Sequence, residues 1–212
     1  MMIKGAHAMM AKNVIGPKEL RALPPPLSFG AINAPEIPFS EGLLEKVATT
    51  HLLIFTPARY DDGIFITLNS LRSRFGVDPD LSEPCMYNQD WYLREAFAAD
   101  VSLDGQWHLI QKNVREDTRA KRPEEIESSL NRERFPGAVM CAFTFFAWWL
   151  HTGGEILWEY DFLWCADRDH NGDRIYVGRY SDPAGVNKSG FNVHRHLALR
   201  PAYSVAPEIV ID

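Results

Sequence analysis

Paired cysteines, excess basic charge and long apolar runs are scarce or missing in this chain. Its 212 residues include 3 cysteines, Cys85, Cys141 and Cys165, which lie far apart and form no CxxC motif. An odd number of separated cysteines indicates neither a disulfide framework nor a cysteine-based structural zinc site. A reducing compartment is the simpler interpretation, with at most one disulfide.

The charge balance and the apolar runs exclude two further classes. The formal net charge is −6 at pH 7, so the chain lacks the basic surface of a general nucleic-acid-binding protein. Its most apolar stretch, AVMCAFTFFAWWL (138–150), is too short for a membrane span and predicts a buried helix. The first residues contain no apolar run of a secretory signal. We therefore expect a soluble protein, cytoplasmic by default.

Signatures of covalent catalysis are missing as well. The sequence contains no GxSxG, no Ser-x-x-Lys, no glycine-rich phosphate loop and no cysteine–histidine nucleophile signature. These absences favour a protein that is not an enzyme and that needs no cofactor.

The elements that are present predict one α+β domain. Residues 1–39, which include the proline-rich LPPPLSFGAINAPEIPF (23–39), are expected to form an extended segment packed on the body. Residues 40–212 are expected to form the domain, with a β-rich ligand-display region from about residue 154. The predicted helices cover residues 40–50, 66–76, 88–100, 122–130 and 138–150, and the predicted earlier strands cover residues 51–57 and 107–114.

The stretch DRDHNGD (167–173) has two interpretations. Asp167, Asp169 and Asn171 alternate as in the first half of an EF-hand calcium loop, but the twelfth position is Gly178 instead of glutamate. The dipeptide Asn171–Gly172 between two β-rich runs instead predicts a hairpin tip joining strands 156–165 and 174–180. We favour the hairpin, with a calcium ion on these three residues as the alternative.

The histidines raise an alternative function. His170, Asn187 and His196 follow the His–Asn–His order of ββα-metal nucleases, in which a histidine base acts beside a divalent ion. On a strand, His194 and His196 would also share one face, as metal-binding pairs do. A nuclease-like, metal-dependent hydrolase is therefore the alternative to a binding protein.

In the C-terminal half, the helix AVMCAFTFFAWWLHTGG leads to a WEY strand (158–160), strands and long polar loops follow, and LALRPAY (197–203) is a closing strand. This order resembles the C-type-lectin-like fold in its formylglycine-generating-enzyme-like branch, and LALRPAY resembles the branch's terminal Gly-Phe-Arg-type strand. HNGDRIYVG (170–178) and LALRPA (197–202) are also similar to the SDGxRVxVG and LGLxxAR ending of a group of microbial proteins. The resemblance implies helices packed on a small, mostly antiparallel sheet with long C-terminal loops.

The same resemblance implies a function in binding. Some proteins of this branch are the variable ligand binders of diversity-generating retroelements, and their randomised residues correspond here to about 186–196. We therefore expect a non-enzymatic protein that binds a protein or glycan ligand; no pattern predicts its oligomeric state. The expected contact residues are Tyr180, Asn187, Lys188, Phe191, Asn192, His194 and Arg195.

The sequence around these residues also predicts their setting. Gly185 and Gly190 are expected to loosen the backbone. Strand alternation would place Phe191, Val193, Arg195 and Leu197 toward the core and would expose Asn192, His194 and His196. By this pattern Phe191 and Arg195 are exposed only if the strand begins after them or bulges.

Overall fold

The computed structural model describes residues 3–180, 189–195 and 198–211, and it has the predicted α+β architecture. The α-helices of the described residues are α1 (Ile3–Met10), α2 (Pro17–Arg21), α3 (Glu41–Val47), α4 (Leu68–Phe75), α5 (Ala96–Ala99), α6 (Pro123–Glu127) and α7 (Ala138–Thr152). The strands are β1 (Val14–Ile15), β2 (His51–Thr56), β3 (Gln106–Gln111), β4 (Glu133–Arg134), β5 (Phe162–Arg168), β6 (Arg174–Tyr180), β7 (Gly190–His194), β8 (Tyr203–Ser204) and β9 (Glu208–Ile209).

The strands form two mixed sheets, and the C-terminal segment contributes one strand to each of them. The first sheet has the order β1-β2-β3-β9-β4, with β1 parallel to β2 and the other neighbours antiparallel. The second has the order β7-β6-β5-β8, with β8 parallel to β5 and the rest antiparallel. The chain thus passes from the second sheet at β8 to the first at β9 within a few residues.

Helix α7 forms the centre of the core, as its composition predicts. It contacts strands of both sheets, and Phe145 and Trp148 are buried. Trp149 and Leu150, expected to be mostly buried, are partly exposed because they lie in the last turns, where the helix leaves the core. The helix ends at Gly153, which adopts the left-handed conformation with φ 73° that favours glycine. No helix in the described ranges is both long enough and apolar enough to span a bilayer.

Local sequence signals determine several helix and strand boundaries. The side chain of Ser40 caps α3 by accepting a hydrogen bond from the backbone N–H of Leu43. Thr67 and Ser70 form a reciprocal capping box at the start of α4, which ends at Gly76. Every residue of β2 is buried, as its continuous apolar run predicts.

Several predicted segments differ from the structure. The expected WEY strand (158–160) is a turn, and residues 198–202 of the expected closing strand form no strand, since β8 begins only at Tyr203. An extended conformation for residues 1–39 is wrong over residues 3–21, where β1 adds to the edge of the first sheet between two short helices. The helix predicted over residues 88–100 is limited to α5. The amide of Gln89 and the indole N–H of Trp91 both donate hydrogen bonds to the carbonyl of Val193, at 2.6 and 3.1 Å. These tertiary bonds hold residues 89–91 along β7 and override the helical pattern.

The predicted hairpin with its tip at Asn171–Gly172 is confirmed, but its first strand covers Phe162–Arg168 and not residues 156–165. Strands β5 and β6 pair antiparallel, with Arg168 opposite Arg174. At the tip, the N–H of Gly172 donates to the carbonyl of Asp169 at 2.9 Å, and Gly172 has φ 85°. A glycine after an asparagine suits this turn because glycine adopts positive φ without a steric cost.

Within the first sheet, a network of ionised side chains joins β9 to its neighbours β3 and β4. The imidazole of His108 on β3 lies between two carboxylates: Nδ1 contacts Glu208 on β9, and Nε2 is 3.0 Å from Asp104. Arg134 on β4 donates two hydrogen bonds to Glu208, from Nε at 3.0 Å and from Nη2 at 2.9 Å. His108 and Glu208 are buried, so their charges are shielded from solvent screening.

These contacts shift the pKa values of all three titrating groups. Burial alone would lower the pKa of His108, but the hydrogen bonds to Asp104 and Glu208 outweigh burial and raise that pKa to about 9. Burial opposes ionisation of the carboxyl groups too, yet the contact with His108 lowers the pKa of Glu208 and, with Thr56, lowers that of Asp104 to about 2. The network is therefore fully ionised around neutral pH.

We expect the His108→Gln variant to lose a pH dependence of stability that the wild type has. A histidine whose pKa is raised to about 9 stabilises the fold fully below its unfolded value of 6.5, and this stabilisation is lost as the pH rises through about 9. Urea unfolding of both proteins at several pH values between about 6.5 and 9 measures this pH dependence. The free-energy difference between the two proteins should shrink toward alkaline pH; parallel curves would mean that His108 is not protonated in the folded state.

Candidate functional site

The structure describes four of the seven expected contact residues with their side chains. Asn187 and Lys188 lie outside the described residues, as does His196 of the nuclease alternative. Tyr180 is described only as the last residue of β6. The remaining residues, at positions 191, 192, 194 and 195, lie on or directly after β7.

Phe191 and Asn192 are not exposed, which corrects the prediction for these two residues. Phe191 is 1% exposed, and its ring packs against Phe145 and Phe146 of α7 with centroid distances of 5.0 and 5.7 Å. Asn192 is 2% exposed, and its side-chain oxygen accepts a hydrogen bond from Gln89 at 2.6 Å. Neither residue can contact a ligand on the surface of this structure.

Asn192 is covered by the segment that contains Gln89, which runs along β7. Strand β7 has a neighbour at both edges. One side pairs with β6, and the other with residues 85–87. The N–H of Phe191 donates to the carbonyl of Cys85 at 2.8 Å, and the N–H of Tyr87 donates to the carbonyl of Phe191 at 2.8 Å. The alternation predicted for residues 191–197 is observed for Phe191 and Val193, which face the core, but the opposite face at Asn192 does not meet solvent.

His194 and Arg195 are half-buried and have different surroundings. The ring of His194 stacks on Tyr176 at 5.4 Å, and burial followed by the nearby charge of Arg200 lowers the His194 pKa. Arg195 donates a hydrogen bond to Asp169 at 2.6 Å and lies 4.4 Å from the ring centroid of Trp91. Of the predicted set, only these two side chains are described and reach the surface.

The hairpin tip forms a polar cluster that is hydrogen-bonded to the segment before α5. Glu95 accepts two hydrogen bonds from His170, one from its backbone N–H at 3.0 Å and one from Nδ1 at 2.6 Å. Asp169 accepts hydrogen bonds from the backbone of Asn171 and Asp173, both at 2.9 Å, in addition to Arg195. These bonds fasten the tip to the segment before α5.

The calcium alternative gains nothing from this geometry, and two of the three residues of the nuclease alternative, Asn187 and His196, lie outside the described residues. Asp167 points away from the tip and accepts a hydrogen bond from the first N–H of α7, at Ala138, at 2.6 Å. Asp167 and Asp169 therefore have separate partners, and Asn171 is exposed. Within residues 3–180, 189–195 and 198–211, no three His, Cys, Asp or Glu side chains are placed to hold a metal ion.

The three cysteines do not provide a nucleophile. All are unpaired and buried. Burial, followed by the charge of Glu83, raises the pKa of Cys85 to about 11, and burial raises that of Cys165 as well. A thiol with a raised pKa is protonated at neutral pH and reacts poorly.

The second sheet carries a layer of aromatic side chains on the side opposite α7. Cross-strand partners share one face of a sheet, and here Trp164 pairs with Tyr176, Tyr176 with His194, and Phe162 with Tyr203. Leu163, Val177 and Val193 occupy the other side and are fully buried in the core with α7. We call this layer the aromatic face; its members are Phe162, Trp164, Tyr176, His194 and Tyr203.

The aromatic face is covered at one end and open at the other. Trp164, Tyr176 and Tyr203 are buried in a small cluster with Ile126 of α6 and its neighbours. Phe162 and His194 are half-buried, and their ring centroids lie 5.6 Å apart. The open end therefore presents two adjacent rings to solvent.

Gly178 makes room for this open end. It lies on β6 opposite Asn192, and a Cβ atom there would lie 2.4 Å from the carbonyl oxygen of Asp161 and 2.9 Å from the ring of Phe162. A larger residue would push the Phe162 ring off the sheet. Sequence reasoning missed this face, although aromatic residues at alternate positions 162 and 164 were a usable signal.

Charged groups border the open end. The exposed Arg200 lies close enough to His194 and Tyr176 to affect their ionisation. Arg119 pairs with Asp161, which directly precedes Phe162. The arrangement offers flat rings for stacking and a guanidinium for hydrogen bonding, and the described residues around it supply no acid–base pair or nucleophile.

No protein-family model matches the chain, and no curated protein or solved structure matches it either.

Proposed function

We propose that this protein is a non-enzymatic ligand-binding protein on a C-type-lectin-like scaffold. The ligand would lie on the open end of the aromatic face and on the chain segments that follow β6 and β7. The single observation that carries the proposal is the pair of half-buried rings, Phe162 and His194, at the border of a fully packed aromatic layer.

The packing around these rings supports a binding role. Binding sites work best where the contacting groups are held by rigid elements, because less side-chain freedom is then lost on binding. Phe162 is held by Tyr176 and Tyr203 at centroid distances of 5.9 and 5.8 Å, and His194 is held by Tyr176. Aromatic rings fixed in this way bury a large area of a sugar or of a side chain at low entropic cost.

The scaffold part of the proposal is supported by the order of the elements. A long apolar helix, α7, precedes a small sheet of β5, β6 and β7, and the last strand returns to the sheet that contains the earlier part of the chain. In this scheme the residues that display the ligand contacts are those at about 186–196, as in the variable binders of diversity-generating retroelements. A reverse-transcriptase gene and a near-repeat of the codons for residues 186–196 beside the gene would support that assignment.

The test is a ligand screen followed by substitution of the two rings. The protein is screened on a glycan array and against a phage-displayed peptide library, and the affinity of each hit is measured by biolayer interferometry. We expect Phe162→Ala and His194→Ala to weaken the binding of true ligands by about tenfold or more, as loss of an aromatic contact at the centre of an interface does.

A matched control separates binding from stability. Phe65 is 46% exposed and belongs to the loop before α4, so Phe65→Ala removes the same ring from another surface. This variant should bind like the wild type. Hits that lose no affinity with either test variant would contradict the proposal, as would a screen without a reproducible hit.

A further inference from the structure

A second concave site lies on the first sheet, away from the aromatic face. It is a cleft of about 230 Å³ between the segment before β3, strand β4 and the first turn of α7. Asp104 and Arg134 are the charged residues at its border, with side chains that are 51% and 56% exposed. We call it the Asp104–Arg134 cleft.

Asp104 keeps one carboxylate oxygen unused. Its Oδ1 atom accepts three hydrogen bonds: from Thr56 Oγ1 at 3.0 Å, from the backbone N–H of Gln106 at 3.1 Å and from His108 Nε2 at 3.0 Å. Its Oδ2 atom accepts none from the described residues. An ionised carboxylate with one saturated and one free oxygen is a fixed acceptor for a cationic donor.

Arg134 keeps one end of its guanidinium unused. The Nε and Nη2 atoms donate to Glu208, but Nη1 makes no hydrogen bond within the part of the chain that the structure covers. The guanidinium is held in a fixed orientation by this two-point contact, so the remaining N–H groups are a preorganised donor for an anion.

The buried network keeps these two opposite charges apart. His108 bonds to Asp104 and to Glu208, and Glu208 bonds to Arg134. The two border residues are therefore joined through these partners and make no direct salt bridge in the described structure. A carboxylate and a guanidinium held near each other but separated are complementary to a ligand that carries both charges.

The floor of the cleft is apolar. Phe135, Val139 and Met140 line it, and all three are almost fully buried, so they present only a small apolar surface to the cavity. Val101 lies at the mouth with 41% of its surface exposed. The cavity is smaller than the range of about 300–1,000 Å³ that is typical of drug-sized ligands, which limits the occupant to a small molecule.

From this geometry we infer that the Asp104–Arg134 cleft binds a small zwitterion with an apolar tail, of the α-amino-acid class. Its ammonium group donates to Asp104 Oδ2, its carboxylate accepts from Arg134 Nη1, and its side chain lies on Phe135, Val139 and Met140. The inference is independent of the function proposed for the aromatic face.

The test uses L-leucine and L-methionine as probes in calorimetric or NMR titrations of the full chain. Two analogues of leucine each lack one charge: 4-methylpentanoate has no ammonium, and 3-methylbutylamine has no carboxylate. We expect saturable binding of the amino acids and affinities at least about tenfold weaker for both analogues, because each leaves one fixed charge unpaired.

A substitution at the mouth tests the location without disturbing the ionic network. Val101→Trp places a large side chain over the cleft at an exposed position and should weaken binding by about tenfold or more. Leu81→Trp is the matched control, because Leu81 is 85% exposed and does not line the cleft. It should leave the affinity unchanged.

Three results would overturn the inference. One is the absence of saturable binding by either amino acid up to about 10 mM, a range that covers weak small-molecule sites. Another is equal binding of the single-charge analogues, and the third is binding that Val101→Trp does not weaken.

Discussion

Replacing Glu208 with glutamine is expected to lower the free energy of unfolding by about 3 kcal/mol, because it breaks a buried ion pair and leaves one charge unpaired. The Glu208 side chain is 5% exposed and contacts His108, whose side chain is 8% exposed. The amide of glutamine can still accept one hydrogen bond but cannot neutralise the imidazolium and the guanidinium of Arg134 together. Urea unfolding at about pH 5, well below the unfolded pKa of His108 so that the imidazole is protonated in both states, measures the loss.

An exposed ion pair provides the matched control. Glu155 pairs with Lys12, and the two side chains are 52% and 64% exposed. The same exchange at this site, Glu155→Gln, should change the free energy of unfolding by no more than about 0.5 kcal/mol, because solvent screens such pairs. Equal effects of the two substitutions would show that the network around Glu208 does not stabilise the fold.

The parts of the fold that sequence predicts are those with a local cause. Helix α7 follows from an apolar run long enough for several turns, α3 and α4 from capping side chains, and the β5–β6 hairpin from Asn171–Gly172. In each case the determining residues lie within a few positions of the element. Such signals remain valid whatever the rest of the chain does.

The parts that sequence misses depend on residues far apart in the chain. His108 and Glu208 are separated by 100 positions, and Gln89 lies 103 positions before Asn192. No pattern near residues 88–100 indicates that Gln89 and Trp91 will bond to β7 instead of continuing a helix. The same distance explains why Asn192 was expected at the surface: the segment that covers it is remote in sequence.

The open end of the aromatic face and the contact residues expected from the sequence share one member, His194. The stretch around β7 lies beside this open end. Phe162, however, comes from β5 and reaches His194 only because both flank Tyr176 in the sheet. Loop composition alone does not reveal which strand supplies the neighbouring ring.

Gly190 shows how a structural role can be mistaken for flexibility. The sequence suggested that Gly190 loosens the backbone beside the display loops. In the structure it has φ 150°, and a Cβ atom there would lie 2.7 Å from the backbone nitrogen of Tyr87 and 2.8 Å from its Cα. The glycine is required because residues 85–87 pass directly against β7 at this point.

We expect Gly190→Ala to lower the free energy of unfolding by about 3–4 kcal/mol, from positive-φ strain of about 1–2 kcal/mol together with the steric overlap. The overlapping atoms belong to the backbone, so they cannot move without separating the two segments. The N–H of Tyr87, which donates to Phe191, should then exchange faster with solvent. Urea unfolding and amide hydrogen exchange measure the two effects.

Gly172→Ala is the control that separates strain from overlap. Gly172 also has positive φ, at 85°, but an added Cβ atom there would meet no atom within 4 Å. Gly172→Ala should lower the free energy of unfolding only through the positive-φ strain, by about 1 kcal/mol. It should leave the amide hydrogen exchange of Tyr87 unchanged. If Gly190→Ala lowers the free energy of unfolding by no more than Gly172→Ala does, residues 85–87 can move away from β7. The edge of β7 would then be open to a partner, and Asn192 would return to the set of residues that a ligand can reach.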